Sequence, residues 1–144
     1  MNRVEKAASL FKEGFNCSQA VCTTFAVEMG VERDTALKMS QAFGGGMGLM
    51  GETCGAVTGA FMVIGLKYGR TSVDDDEAKK KTYELVKKFA TKFKASHGTI
   101  LCRELLGCNI GTPRGKEYAE EKALTTTLCP EFVRDAVIIL EEIL

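Results

Sequence analysis

The amino-acid sequence predicts an all-α fold, a single-domain bundle of about six to eight helices with a glycine-rich loop before the helix that starts at CGAVTG. Two observations predict it. Apolar residues recur at helical spacing along most of the chain, and no stretch alternates apolar and polar residues for long enough to form a strand. The length of 144 residues, 45% of them hydrophobic, suits a single domain over residues 1–144 with a substantial core.

Three helices are predicted before the glycine-rich loop. They cover residues 2–13, ended by Gly14, residues 17–29, ended by Gly30, and residues 34–43, with Asp34 as the N-cap. The loop itself, GGGMGLMG at 44–51, allows the backbone to turn tightly and to approach a neighbouring segment closely, because glycine has no side chain.

Five further helices are predicted after the loop. They cover residues 54–68, 74–96, 100–106, 114–127 and 130–143, the last with Pro130 in its first turn. The longest of them should bury a stripe formed by Ala78, Tyr83, Leu85, Val86, Phe89 and Phe93. His97 follows this helix, and we expect its side chain to cap the last carbonyl groups.

The charge balance restricts the classes of partner. Nineteen basic residues match nineteen acidic ones, so the chain lacks the basic excess that is typical of nucleic-acid binders. The most apolar run, GAVTGAFMVIGL at 55–66, is shorter than the roughly twenty residues that span a bilayer. The N-terminal residues do not contain the apolar run of a secretory signal. We therefore expect a soluble, cytoplasmic protein with no nucleic-acid partner and no membrane insertion.

One motif resembles a nucleotide-binding fingerprint. GMGLMG at 46–51 matches G-x-G-x-x-G, but dinucleotide binding needs these glycines between a strand and a helix of a βαβ unit. The preceding segment, DTALKMSQAF, has helical spacing, and no βαβ unit is predicted. We therefore reject a dinucleotide site at this loop.

Four of the six cysteines share a predicted position at the start of a helix. Cys17 follows Asn16, which is a good N-cap, Cys54 follows the glycine-rich loop, Cys102 lies in the opening turn of a short helix, and Cys129 directly precedes Pro130. Unpaired N–H groups and the helix dipole stabilise an anion at such a position and lower the pKa of a thiol. We expect Cys54 to be the activated thiol.

Small residues after Cys54 offer a way to assemble these cysteines. They recur four residues apart, Gly55 with Gly59 and Ala56 with Ala60. A helix face of this kind allows a second helix to approach closely, and it would bring thiols from other segments within reach of Cys54. Sequence-distant cysteines are therefore expected to form one site.

The chain resembles the family of redox-active proteins named for its C…CGAxxG…C…C pattern. The resemblance rests on FNCSQAV at Cys17, CGAVTG at 54–59, CRELLG at Cys102 and CPEF at Cys129, and it extends over nearly the whole chain. It implies a redox role for these four cysteines, without a substrate or a reaction. Cys22 and Cys108 fall outside the pattern. We expect Cys22, in the middle of a helix, to be a core residue, while the role of Cys108 stays open.

The first functional hypothesis is thiol–disulfide chemistry, which would make the protein a thiol-based oxidoreductase if it is an enzyme. Cys54 would attack or be oxidised, and a nearby cysteine would resolve it, with Cys17 as the first choice and Cys102 or Cys129 behind it. The chain lacks C-x-x-C and a βαβ pattern, so it is not of the thioredoxin type. This chemistry requires a redox partner, which the sequence does not identify.

Two other hypotheses stay open. Cys17, Cys54, Cys102 and Cys129 could instead ligate a metal, because four thiolates suit zinc or an iron–sulfur cluster, although no two of them have the short spacing of common ligand motifs. In the third hypothesis the cysteines are core residues, and the protein is a non-catalytic helical interaction partner such as a homodimer.

Overall fold

The structure, a computed structural model, describes all 144 residues and contains helices, loops and one isolated β-bridge. The predicted all-α fold is confirmed. Eight helices of five or more residues and two four-residue turns follow one another: α1 (Arg3–Glu13), α2 (Cys17–Glu28), α3 (Arg33–Gln41), α4 (Gly44–Met47), α5 (Gly55–Tyr68), α6 (Asp76–His97), α7 (Cys102–Leu106), α8 (Pro113–Glu121), α9 (Leu124–Thr127) and α10 (Cys129–Ile143). None of the helices combines the length and the apolar character that crossing a membrane requires.

Local sequence explains where the first helices begin and end. α1 and α2 each follow an asparagine, Asn2 or Asn16, that forms a reciprocal capping box with the residue three positions later. Gly14, in the left-handed conformation, ends α1. The prediction that Asp34 caps the third helix is wrong, because α3 begins one residue earlier, after Glu32. Asp34 instead lies in the first turn, where its charge favours the helix dipole.

The glycine-rich loop turns with a left-handed backbone. Every residue from Gly45 to Leu49 has a positive φ, between 59° and 71°, and the Leu49 N–H closes the turn on the Gly44 carbonyl at 3.2 Å. Met47 and Leu49 adopt this conformation although they carry side chains, which costs about 1–3 kcal/mol each. Surrounding contacts must stabilise the loop against this strain, and the loop forms part of the site described below.

The helix predicted over 114–127 is interrupted, so that prediction is wrong. Ala123, between α8 and α9, has a φ of 53°, a left-handed conformation that breaks an α-helix. The hydroxyls of Thr126 and Thr127 both donate to the Ala123 carbonyl, at 3.0 and 2.8 Å. Such local side-chain bonds compete with regular helix geometry, which explains why a polar, threonine-rich stretch does not continue α8.

The core contains side chains from α2, α5, α6 and α10. Its largest fully buried members include Phe25, Ile64, Phe89, Phe93 and Leu140. The stripe predicted on α6 is confirmed for its two phenylalanines, but Tyr83 is 58% exposed. The helical period alone predicted Tyr83 as buried, whereas its ring lies at the surface beneath the Lys79 ammonium, 5.9 Å away.

His97 joins the end of α6 to α10. Its Nε2 lies 2.8 Å from the Asp135 carboxylate, and the two side chains are 13% and 22% exposed. The ring packs against Phe93 and Phe132, with centroid distances of 4.7 and 5.0 Å. The expected capping role is wrong for this side chain, because the last turn is closed by the N–H of Gly98 instead.

α2 and α5 approach each other closely at Ser18. A Cβ placed on Gly59 would lie 2.8 Å from the Ser18 carbonyl oxygen, and one on Gly55 would lie 3.0 Å from the Ser18 nitrogen. Both distances are to backbone atoms, which cannot rotate away as a side chain can. The expected close approach through small residues on α5 is therefore confirmed.

We predict opposite effects for two glycine-to-alanine changes on α5. Gly59→Ala should destabilise the protein by about 1–3 kcal/mol, because the added methyl group meets the backbone of α2. Gly65→Ala is the matched control: nothing lies within 4 Å of a Cβ at that position, so alanine should stabilise the helix by about 0.5–1 kcal/mol. Urea unfolding measures both, and equal effects would show that α2 and α5 do not pack this closely.

Candidate functional site

Four cysteines lie at four helix N-termini, as the sequence predicts. Cys17, Cys102 and Cys129 are the first residues of α2, α7 and α10, and Cys54 is the N-cap of α5. The four helices come from different parts of the chain. Their N-terminal ends therefore meet at one place in the fold only through tertiary packing.

These four cysteines line a single cavity of about 190 Å³. Cys54, Cys102 and Cys129 are buried, and Cys17 is half-buried. Neither Cys22 nor Cys108 contributes to the lining. This geometry separates the four pattern cysteines from the other two, as expected from helix positions and from the family resemblance.

The four thiols are close enough to influence one another's ionisation. A charge on Cys54, Cys102 or Cys129 raises the pKa of Cys17, a charge on Cys102 or Cys129 raises that of Cys54, and a charge on Cys129 raises that of Cys102. Every pair among the four is thus electrostatically coupled. They form one cysteine cluster, a name used below for Cys17, Cys54, Cys102 and Cys129 together.

A short antiparallel contact holds Cys54 beside Cys102. The residues that precede them are joined by the isolated β-bridge. On either side of that bridge, the Cys54 N–H donates to the Ile100 carbonyl at 2.7 Å, and the Cys102 N–H donates to the Glu52 carbonyl at 2.6 Å. A Glu52–Arg103 ion pair at 2.9 Å adds little, because both side chains are over 40% exposed.

Cys17 is positioned by the capping box of α2 and by the close contact with α5. Asn16 accepts from the Gln19 N–H at 2.9 Å and donates to the Gln41 carbonyl at 3.0 Å, which ties the start of α2 to the end of α3. A Cβ on Gly55 would lie 3.3 Å from the Cys17 Cβ. The absence of a side chain at Gly55 therefore allows Cys17 to lie directly against the start of α5.

The remaining walls of the cavity are mostly apolar. They include Phe11, Leu49, Leu105, Leu106, Ile110 and Phe132. Leu49 is 57% exposed, and Thr125 is exposed as well, so these two residues mark the opening. Sequence reasoning did not identify these wall residues as one set, because they come from separate segments of the chain. Leu49 carried a signal, its place within the glycine-rich loop, and Leu105, Leu106 and Phe132 lie within CRELLG and CPEF beside cluster cysteines.

Burial reverses the expected ionisation of Cys54. The backbone N–H groups of Ala56 and Val57 favour its thiolate, as a helix N-terminus should, but desolvation is the larger effect and raises the pKa of Cys54 to about 12. Desolvation likewise raises the pKa of Cys102 to about 11. Desolvation therefore opposes the activation of Cys54 that its position at a helix terminus predicts.

Cys129 is the one member of the cysteine cluster whose pKa is lowered. A hydrogen bond between the Cys17 and Cys129 side chains lowers the pKa of Cys129 and, together with burial, raises the pKa of Cys17 well above its ordinary value. The physical reading is that the Cys17 thiol donates to the Cys129 sulfur and so stabilises a thiolate there. Cys129 also has the favourable first position of α10.

The other two cysteines have different surroundings. Cys22 is 2% exposed and packs with Ala26 and Ala36 in a separate small cluster, as expected for a core residue. Burial raises its pKa, with a partly offsetting hydrogen bond to Ser40. Cys108 is half-buried beside Cys102, and a charge on Cys108 raises the pKa of Cys102. Cys108 therefore borders the cluster without lining the cavity.

The side chains of the cluster do not form the ligand set of a single metal ion. No group of three or more His, Cys, Asp or Glu side chains has the geometry to hold a metal ion. All six cysteines are free thiols, with no disulfide between them. The arrangement thus defines an all-helical protein with a buried cluster of four reduced cysteines.

Comparison with known proteins agrees with this class. The family model described as "Putative redox-active protein (C_GCAxxG_C_C)" matches residues 15–143. The chain belongs to this family, as the sequence resemblance indicated. No curated protein and no solved structure gives a significant match.

The raised pKa values of Cys54 and Cys102 predict a loss of stability at alkaline pH. The stability that they contribute is fully present below the pKa of an unfolded cysteine, about 8.5, and is lost as the pH rises through their folded values of about 12 and 11. Between about pH 9 and about pH 11, each thiol should lower the free energy of unfolding by up to about 1.4 kcal/mol per pH unit.

A double variant, Cys54→Ala with Cys102→Ala, should show a shallower decline than the parent protein. Val57→Ala is the control, because it removes a fully buried side chain that does not ionise and should lower stability equally at every pH. Urea unfolding under reducing conditions measures the slopes. Identical slopes in the parent and the double variant would contradict the assigned pKa shifts.

Proposed function

We propose that the protein is a dithiol–disulfide redox protein whose reactive pair is Cys17 and Cys129. The observation that carries the proposal is that both residues line one cavity with the rest of the cysteine cluster, where the Cys17 side chain lowers the pKa of Cys129. Thiols in contact can form a disulfide with little backbone movement. Membership of a family described as redox-active supports the same class of chemistry.

Cys129 is the nucleophile in this proposal. Its thiolate attacks one sulfur of a disulfide substrate, the substrate S–S bond breaks, and one thiolate leaves, so that Cys129 holds a mixed disulfide. Cys17 then gives its proton to that leaving thiolate and attacks the Cys129 sulfur. The Cys17–Cys129 disulfide forms, and the second thiolate departs and takes a proton from water. Two electrons pass from the protein to the substrate.

Cys54 and Cys102 have a supporting role in the proposal. Because their pKa values are about 12 and 11, they remain protonated at neutral pH. A neutral thiol is a poor nucleophile, so neither starts the reaction. They surround the reactive pair with uncharged groups. The alternative disulfide between Cys54 and Cys17 has less support than the one between Cys17 and Cys129.

Cysteine-specific labelling and disulfide mapping test this assignment. Because the pKa of Cys129 is lowered and that of Cys22 is raised, Cys129 should react with iodoacetamide at neutral pH faster than Cys22. Mild oxidation should produce a Cys17–Cys129 disulfide, identified by peptide mass mapping. Cys129→Ser should abolish both the fast phase and the disulfide.

Cys22→Ser is the matched control, because Cys22 is buried outside the cavity and its loss should leave the fast phase intact. A disulfide that forms between Cys54 and Cys102 in the parent protein, or a fast phase that survives in Cys129→Ser, would contradict the assignment of the reactive pair.

A second candidate function uses the same residues as ligands. The convergence of four cysteines on one cavity favours it, since four thiolates ligate zinc or an iron–sulfur cluster. A single metal ion does not fit the observed geometry. An iron–sulfur cluster is larger and separates its ligands further, so Cys17, Cys54, Cys102 and Cys129 would hold it, and it would supply one-electron chemistry when bound.

Elemental analysis with a free-thiol count separates the two candidates. Protein purified without air or chelators should contain no stoichiometric iron or zinc, and two thiols should disappear reversibly on mild oxidation. About one equivalent of metal, with acid-labile sulfide where the metal is iron, would favour the ligand function. Six thiols that stay reduced and unreactive would support the core-residue hypothesis instead.

A further inference from the structure

The cysteine cavity offers no charged side chain to a substrate. Besides the four thiols and three glycines, its lining is apolar except for Asn16 and Thr125. Both polar ends of Asn16 are engaged in holding α2, at 2.9 and 3.0 Å from their partners. Glu52 and Arg103, which lie next to cluster residues in sequence, pair with each other outside the lining. The walls therefore contain no cation that could bind an anionic substrate.

The thiols themselves disfavour an anion. Every pair in the cysteine cluster is coupled, so that ionisation of one thiol opposes ionisation of the others. An anionic substrate would add a like charge beside the Cys129 thiolate, in surroundings that already penalise charge by desolvation. A cationic substrate would meet no carboxylate in the walls, and the negative charge of the Cys129 thiolate leaves that sulfur as the mixed disulfide forms, so no counter-ion would remain to replace its hydration.

The size of the cavity sets a second limit. Apolar cavities of about 150 Å³ hold benzene, and this one has a volume of about 190 Å³. Typical pockets for drug-sized ligands start at about 300 Å³. The opening lies between Leu49 and Thr125. The Cys129 thiol behind it is only 8% exposed. A folded protein surface cannot reach that sulfur without displacing the walls.

We infer that the Cys17–Cys129 pair acts on a small, uncharged, apolar disulfide, of roughly six to nine non-hydrogen atoms. This inference rests on the proposed dithiol function and names the substrate class of the same site. The reaction consumes the Cys129 thiolate, the Cys17 thiol, one proton and one molecule of R–S–S–R. It gives the Cys17–Cys129 disulfide and two molecules of R–SH. The protein pair is oxidised by two electrons, and the substrate is reduced by two.

Two disulfides of different charge, with a third as a size control, test the inference. Diethyl disulfide is small and uncharged, and 3,3′-dithiodipropionate carries two carboxylates. The third is dipentyl disulfide, which is uncharged and has as many non-hydrogen atoms as 3,3′-dithiodipropionate, so that it separates the effect of charge from that of size. The rate at which each oxidises the reduced protein is divided by its rate with a free thiol in solution, which removes differences in intrinsic reactivity. The normalised rate for diethyl disulfide should exceed that for the dianion by at least about tenfold, since a charge buried without a partner costs well over the 1.4 kcal/mol that tenfold represents.

A lysine placed at the opening should weaken this preference. Thr125→Lys adds a cation at an exposed position, and it should raise the normalised rate of the dianion several-fold while changing that of diethyl disulfide less. Leu49→Lys provides a second variant on the opposite side of the opening. An unchanged ratio in both folded variants would overturn the inference that the cavity selects by charge.

The outcomes distinguish the inference from the proposed function. Equal normalised rates for the two disulfides, with formation of the Cys17–Cys129 disulfide in both cases, would overturn the substrate class and leave the dithiol function standing. If neither reagent produces that disulfide while the protein stays folded, the dithiol function itself is overturned.

Discussion

The close packing of α2 against α5 is the constraint on which the cysteine cluster depends. Gly55 and Gly59 leave no side chain between α5 and the backbone of Ser18, so the start of α2 lies against the start of α5. Cys17 and Cys54 are adjacent in space for this reason, although they lie far apart in the sequence. The antiparallel contact before Cys54 and Cys102 then fixes a third thiol, and α10, which packs on both α2 and α5, supplies Cys129.

Burial and local polar contacts act in opposite directions within the cluster. Helix N-termini favour thiolates at all four positions, yet desolvation is the larger effect at Cys54 and Cys102 and keeps both protonated. Only Cys129 receives a hydrogen bond from a neighbouring thiol that exceeds the cost of burial. The pKa is therefore lowered at one thiol of the cluster and raised at the other three, which limits charge in an apolar cavity.

Sequence patterns predicted the parts of this structure that depend on local interactions. Helical periodicity, asparagine caps and glycine stops gave most helix positions, and cysteine placement at helix starts identified the cluster. The left-handed Ala123, the exposed Tyr83 and the His97–Asp135 contact were missed, because each depends on bonds or packing that periodicity does not encode. The pKa directions of Cys54 and Cys129 were not predicted for a similar reason: burial and the influence of Cys17 on Cys129 arise only when distant segments meet.

The central claim is that four helix N-termini bring four thiols around one cavity. Long-wavelength anomalous diffraction from crystals of the reduced protein tests it most directly, because it locates each sulfur atom individually. The account predicts that the sulfurs of Cys17, Cys54, Cys102 and Cys129 surround one cavity, with Cys17 and Cys129 in contact and the Cys22 sulfur apart from them near Ser40. A map in which any of the four points away from the others, or in which Cys22 joins them, would contradict the account.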